Sequence, residues 1–149
     1  MKPPDKQPPI GYVLKALDTA LTAYTDRALE PHQLTRLHWQ ALNTVQHGNG
    51  VTLDQVVEVL GQFADEERLQ AVLVELAARQ WLQRSEQAYA LTAAGEEGLR
   101  LAAESQAKVR ARLCHGLTRE DYESVLETLQ KMLQNLSAPA NGADSAASG

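Results

Sequence analysis

Arg68, Gln70, Ala71 and Val74 fall within seven residues of a segment whose leucines keep helical spacing. Leu69, Val72, Leu73 and Leu76 repeat at i, i+3, i+4 and i+7, so they make one buried stripe. The opposite face then presents Glu67, Gln70, Ala71, Val74 and Ala78, flanked by Arg68 and Arg79. A glutamine amide can pair with adenine in a major groove, and alanine or valine can meet a thymine methyl. Arginines at the flanks reach phosphates or a base edge. Thr52 precedes a short helix as its N-cap, and the free N–H groups of a helix N-terminus suit a phosphate. Arg84 adds a cation further along the chain.

Other chemistry is poorly supplied. His32, His38, His47, His115 and Cys114 are scattered without metal-ligand helical spacing, so no metal site is expected. Cys114 and His115 are neighbours and point in different directions on a helix, which argues against a thiol nucleophile activated by that histidine. The Asp65-Glu66-Glu67 run reads as a dipole-matched first turn. No glycine-rich phosphate loop or nucleophile elbow is present, so neither an enzyme nor a cofactor is expected. The single cysteine excludes an intramolecular disulfide.

The elements that must position these residues follow from the hydrophobic pattern. The 149 residues suffice for one domain with a real core. Four prolines in residues 1–9 and the small polar residues of 137–149 predict two disordered tails around a folded part at 10–136. The spacing predicts helices over 10–29, 32–47, 53–60, 65–80 and 93–114, with a last one capped by Thr118 and running to Leu136. Thr52 and Gln55 form a capping box for the third. Trp81–Arg84 and Ala88–Leu91 flank a polar Ser85-Glu86-Gln87 tip and predict a hairpin. A short capped helix, a turn, a longer helix and a hairpin make a winged helix. The expected fold class is therefore mainly α: a winged helix-turn-helix of about six helices plus a short two-stranded β wing. The first and last helices carry apolar seams that the small wing unit need not cover. They predict a dimerisation region at 10–30 and 93–136, outside a winged helix-turn-helix at 32–92.

Four segments carry a resemblance. Leu73-Val-Glu-Leu-Ala-Ala-Arg-Gln-Trp-Leu-Gln-Arg84 resembles the end of the recognition helix and the first wing strand of the MarR family. Ala90-Leu-Thr-Ala-Ala-Gly-Glu-Glu-Gly-Leu99 is similar to the family's Leu-Thr-x-x-Gly segment. Leu34–Leu42 and Leu117–Leu129 resemble its second and last helices. The resemblance implies a homodimeric bacterial transcription regulator, often a repressor, that binds palindromic operator DNA and responds to small, commonly aromatic ligands. It places a ligand pocket near Tyr24, His38 and Trp39, and DNA contacts at Thr52, Arg68, Gln70, Ala71, Val74, Arg79 and Arg84. The family wing usually carries Asp-x-Arg before its second strand, whereas Arg84 is the sole wing cation here.

Charge opens a second reading. The whole chain has a net charge of −5, which excludes binding to nucleic acid by bulk charge alone. Over 52–79, Arg68 and Arg79 face six carboxylates, a net −4 on the surface that would meet DNA. A winged-helix interaction module that has lost operator binding, and contacts a protein or small ligand instead, fits that surface. No apolar run reaches the roughly 20 residues of a membrane span, and residues 1–9 lack the apolar core of a secretory signal. A cytoplasmic protein with no membrane partner is the expectation.

Overall fold

The computed structural model describes residues 7–48 and 50–137. The two predicted tails lie largely outside these residues. The chain groups into two compact units, residues 1–110 and 111–149.

In the first unit, α1 (Ile10–Leu29) leads through a single 3-10 turn, Glu30–His32, into α2 (Arg36–His47). The expected start of α2 at residue 32 is corrected to Arg36. Pro31 sits in the 3-10 turn and Gln33 adopts φ 58°, so the chain cannot run on as a helix. Thr35 restarts it as N-cap, and its hydroxyl accepts from the His38 N–H at 3.3 Å. The Thr35 N–H in turn donates to His38 Nδ1 at 3.1 Å, so an imidazole fills the place that Glu or Gln usually takes in a capping box.

After α2 come β1 (Val51–Thr52), α3 (Leu53–Leu60), α4 (Glu66–Ala78), β2 (Leu82–Ser85), β3 (Ala88–Leu91) and α5 (Ala93–Leu113). The expected two-stranded wing forms as β2–β3, and the two-residue β1 joins its edge to make a three-stranded antiparallel sheet of order β1-β3-β2. Val51 pairs with Tyr89 and Thr52 with Ala88. On the other side Arg84 faces Tyr89 and Ser85 faces Ala88, so the tip is the two-residue turn Glu86-Gln87.

The core forms where α2, α3 and α4 meet the sheet. Leu42, Val56, Leu69, Leu73, Leu76, Leu82 and Tyr89 belong to one buried cluster, and Trp81 packs against it. The stripe expected on α4 is the stripe that is buried. Gly95 and Gly98 bring α5 close to Trp81. A Cβ at Gly95 would overlap the Trp81 carbonyl oxygen, and one at Gly98 would overlap the indole ring.

The second unit holds the end of α5, Gly116 at φ 82°, and α6 (Arg119–Ser137). Thr118 caps α6 as expected: its hydroxyl accepts from the Asp121 N–H and its N–H donates to Asp121 Oδ2, both at 3.0 Å. No residue of α6 is buried.

Candidate nucleic-acid interface

The helix-turn-helix sets its second helix by caps and packing together. Thr52 closes α3: its hydroxyl accepts from the Gln55 N–H at 3.2 Å, and its own N–H donates to Gln55 Oε1 at 2.9 Å. Asp65 caps α4 by accepting from the Arg68 N–H at 2.8 Å. That role occupies an oxygen of the acidic run, which suits a carboxylate at the positive helix end. With Leu69, Val72, Leu73 and Leu76 turned into the core, Arg68, Gln70, Ala71 and Val74 are all exposed. Gln70, Ala71 and Val74 therefore share one open helix face, with Arg68 exposed at its flank. Val74 is a large apolar side chain 52% exposed there.

The remaining expected contacts are placed differently. Arg84 is exposed on β2, its Nε donates to the Glu86 carbonyl at 3.1 Å, and its guanidinium lies 5.8 Å from the Tyr89 ring centroid. Arg79 caps the C-terminal end of α4 and is turned back onto the protein. Its Nη2 donates to Glu75 Oε1 at 3.0 Å and to the Gln33 carbonyl, and its guanidinium lies over Trp81 at 5.8 Å. Arg79 thus fastens α4 to the turn before α2 and to the wing.

The three expected ligand contacts differ in burial. His38 is buried and has both ring nitrogens engaged. Because Nδ1 accepts from the Thr35 N–H, the ring proton belongs on Nε2, which donates to Glu75 Oε2 at 2.9 Å. This hydrogen bond, with the Arg79 cation beside it, holds the Glu75 carboxyl below its ordinary value. Trp39 packs against the core with its indole N–H buried and unpartnered. Tyr24 is exposed on α1. A cavity of about 260 Å³ between α1, α2 and the start of α4 is lined by other residues, among them Lys15, Arg36 and Arg68.

Sequence reasoning missed the roles of Glu75 and Arg36. Glu75 lies 37 residues from His38, and no local spacing announces such a pair. Arg36 ties α2 to α1: Nη1 donates to Asp18 at 3.0 Å and to the Thr22 hydroxyl at 2.8 Å, while its N–H donates to Asp26 at 2.6 Å. A threonine N-cap before an arginine was the only local signal for that position.

The geometry offers an exposed helix face with one amide and a flanking guanidinium, a β2–β3 wing in a three-stranded sheet, and no group of three or more metal-ligating side chains among the described residues. No protein-family model matches the sequence, and no curated protein is similar to it. Solved structures are similar. Mycobacterium tuberculosis MarR family protein Rv2887 in complex with DNA superposes with a TM-score of 0.74 at 21% identity, over 85% of this chain and 98% of that one. The chain has a MarR-like winged-helix fold. The reduced form of MarR from E. coli gives a TM-score of 0.75 at 18% identity, over 87% of this chain and 96% of that one. Bordetella bronchiseptica BpsR, whose DNA binding is regulated by 6-hydroxynicotinic acid, gives 0.73 at 18% identity, over 89% and 98% of the two chains. In this MarR-like chain, α4 is the element equivalent in order to a recognition helix, and β2–β3 are its wing. No helix among the described residues is long and apolar enough to cross a membrane.

Proposed function

We propose that this MarR-like chain is a homodimeric, cytoplasmic, DNA-binding transcription regulator, a repressor released by a small ligand. The observation that carries the reading is the open α4 face. Arg68, Gln70, Ala71 and Val74 project from a helix whose other side is locked into the core. Gln70 would read adenine, Val74 and Ala71 would meet a thymine methyl, and Arg68 would take a phosphate or a base. The N-terminus of α3 at Thr52 and the wing cation Arg84 would steady the backbone. Arg79 would act by holding α4 in place. Among the solved neighbours, Rv2887 is known both with DNA and with p-aminosalicylic acid. An aromatic effector here would approach Tyr24 and the orphaned indole N–H of Trp39, with His38 as part of the supporting wall.

The test is fluorescence anisotropy of the purified full chain on its own upstream DNA, beside a scrambled duplex, from low to physiological salt. Specific binding with a steep salt slope is expected, because each phosphate contact releases counterions. Gln70→Ala should cost about 1–3 kcal/mol and relax preference at one base position. Arg68→Ala should weaken all sequences and flatten the salt slope if Arg68 takes a phosphate. Equal affinity for both duplexes at every salt concentration, and for duplexes drawn from a genomic fragment selection, would sink the proposal.

One observation favours a second reading. The same surface carries six carboxylates against two arginines, and one of those arginines, Arg79, is turned inward onto Glu75. A winged-helix module that docks a basic protein surface through α3 and α4 would need no DNA. It would keep its partner affinity in Gln70→Ala, where the regulator would not keep its operator.

A further inference from the structure

The cavity between α1, α2 and the start of α4 has a specific charge pattern. Its volume of about 260 Å³ lies under the roughly 300 Å³ at which pockets for drug-sized ligands begin. That size suits a small metabolite. Three cations line it, one from each helix: Lys15 on α1, Arg36 at the first position of α2, and Arg68 near the start of α4.

Two carboxylates line it too. Asp18 accepts from Arg36 Nη1 at 3.0 Å. Asp26 accepts from the Arg36 N–H at 2.6 Å, at the positive end of α2. The Arg36 guanidinium also donates to Thr22 and lies 5.8 Å from the Phe63 ring centroid. Arg36 therefore pairs with Asp18, while Asp26 keeps its charge beside a backbone N–H.

Lys15 and Arg68 remain. Among the described residues, neither side chain enters an ion pair or a hydrogen bond. The lining thus carries three cations against two carboxylates, a net +1, and an anion between Lys15 and Arg68 would be drawn to it. Gln40 and Gln62 add amide donors to the same lining. The lining is polar apart from Leu37 and Phe63, which disfavours an apolar occupant.

We propose that this cavity binds a small oxyanion: a phosphate or carboxylate group on a compact polar molecule, bridged between Lys15 and Arg68. The consequence for DNA rests on the function proposed above. Arg68 is shared by the cavity and the reading face, so an occupied cavity withdraws that cation from DNA. Oxyanion and DNA then compete, with no larger rearrangement required.

The test is titration calorimetry on the full chain in a chloride buffer, with inorganic phosphate and with succinate in turn, followed by DNA binding with and without the better probe. The expected result is one-site saturable binding of at least one probe, weakened about tenfold in Lys15→Met through loss of a charge-assisted contact. Lys15→Met should keep the DNA affinity of the parent in anion-free buffer and resist the probe's effect on DNA. Lys15 is exposed, so the variant should fold, which its melting curve checks. Which of the two probes binds decides between a phosphate and a carboxylate ligand. No heat with either probe, or equal binding by Lys15→Met and the parent, overturns the proposal. Gln70→Ala separates the two readings, because it should lose DNA and keep the oxyanion. Lys15-dependent anion binding in a chain that binds no DNA would keep the cavity site and discard the regulator.

Discussion

Glu75 shows how much one side chain can connect. Its carboxylate accepts from His38 on α2 and from Arg79 on its own helix, and Arg79 reaches on to Gln33 and Trp81. The azimuth of α4, and with it the direction in which Gln70 points, depends on this chain of contacts. The His38 hydrogen bond lowers the Glu75 pKa from its ordinary 4.5. A carboxylate with a depressed folded value stabilises the protein above its unfolded value, and that contribution is lost as pH falls through the folded value. Glu75→Gln should therefore remove stability above pH 4.5 and narrow the difference from the parent as pH drops below it. The Glu75 side chain is 48% exposed, and screening keeps the effect under about 1 kcal/mol. Urea midpoints of parent and variant at neutral and acid pH measure it, and a difference that does not change with pH would contradict the assignment. Leu34, His38, Leu42 and Val45 keep helical spacing in the sequence, and the family resemblance made His38 a ligand contact. Its burial was legible from the helical spacing. Its partner was not, because only the fold brings residue 75 to residue 38.

At the scale of elements, legibility followed the strength of the local signal. The α4 stripe, the Thr52 capping box and the Thr118 cap are periodic or local, and the structure places each where the sequence expected it. The start of α2 was misjudged because the break comes from Gln33 at φ 58°, not from a glycine. Gln80 at φ 66° ends α4 in the same unannounced way, just after Ala78. β1 is two residues long, too short for an alternating pattern, and its Thr52 was already accounted for as a cap. Glycine weakens a helix interior, and Gly95 and Gly98 fall in the first turns of α5. In the structure they are the places where α5 receives Trp81. Gly98→Ala should push the indole off the helix and cost about 1–3 kcal/mol by overpacking, with a shift in tryptophan emission. Gly11→Ala meets nothing within 4 Å and should be neutral or slightly stabilising in a helix, so the pair separates packing from propensity. Equal melting temperatures for the two variants would refute the packing role.

For the whole molecule, the unexplained quantity is exposed apolar surface. On α1, Ile10, Tyr12, Val13, Leu14 and Leu17 are all exposed, Tyr12 by 73%. On α6, Val125, Leu126, Met132, Leu133 and Leu136 are exposed, Leu136 by 87%. Positions 125, 126, 132, 133 and 136 fall on one face of a helix, while polar and charged residues such as Glu123, Glu127 and Lys131 occupy the rest. A contiguous apolar seam of this kind is a cost in water and marks a surface meant to be covered. In the dimer proposed above, a second copy of the chain would be that cover and would present two α4 helices to a palindrome. Sedimentation velocity at micromolar concentration should then give a dimer. The double substitution Leu126→Gln and Leu133→Gln changes no charge, and in a two-fold dimer it removes four leucines from the seam. At about 1.5–3 kcal/mol for each leucine fully buried, that loss should shift dissociation by several orders of magnitude and yield a folded monomer. The same variant should bind an isolated half-site as the parent protomer does and lose the added affinity of the full palindrome. A monomeric parent, or a substituted chain that still sediments as a dimer, would move the interface away from α6 and leave its apolar face for a different partner.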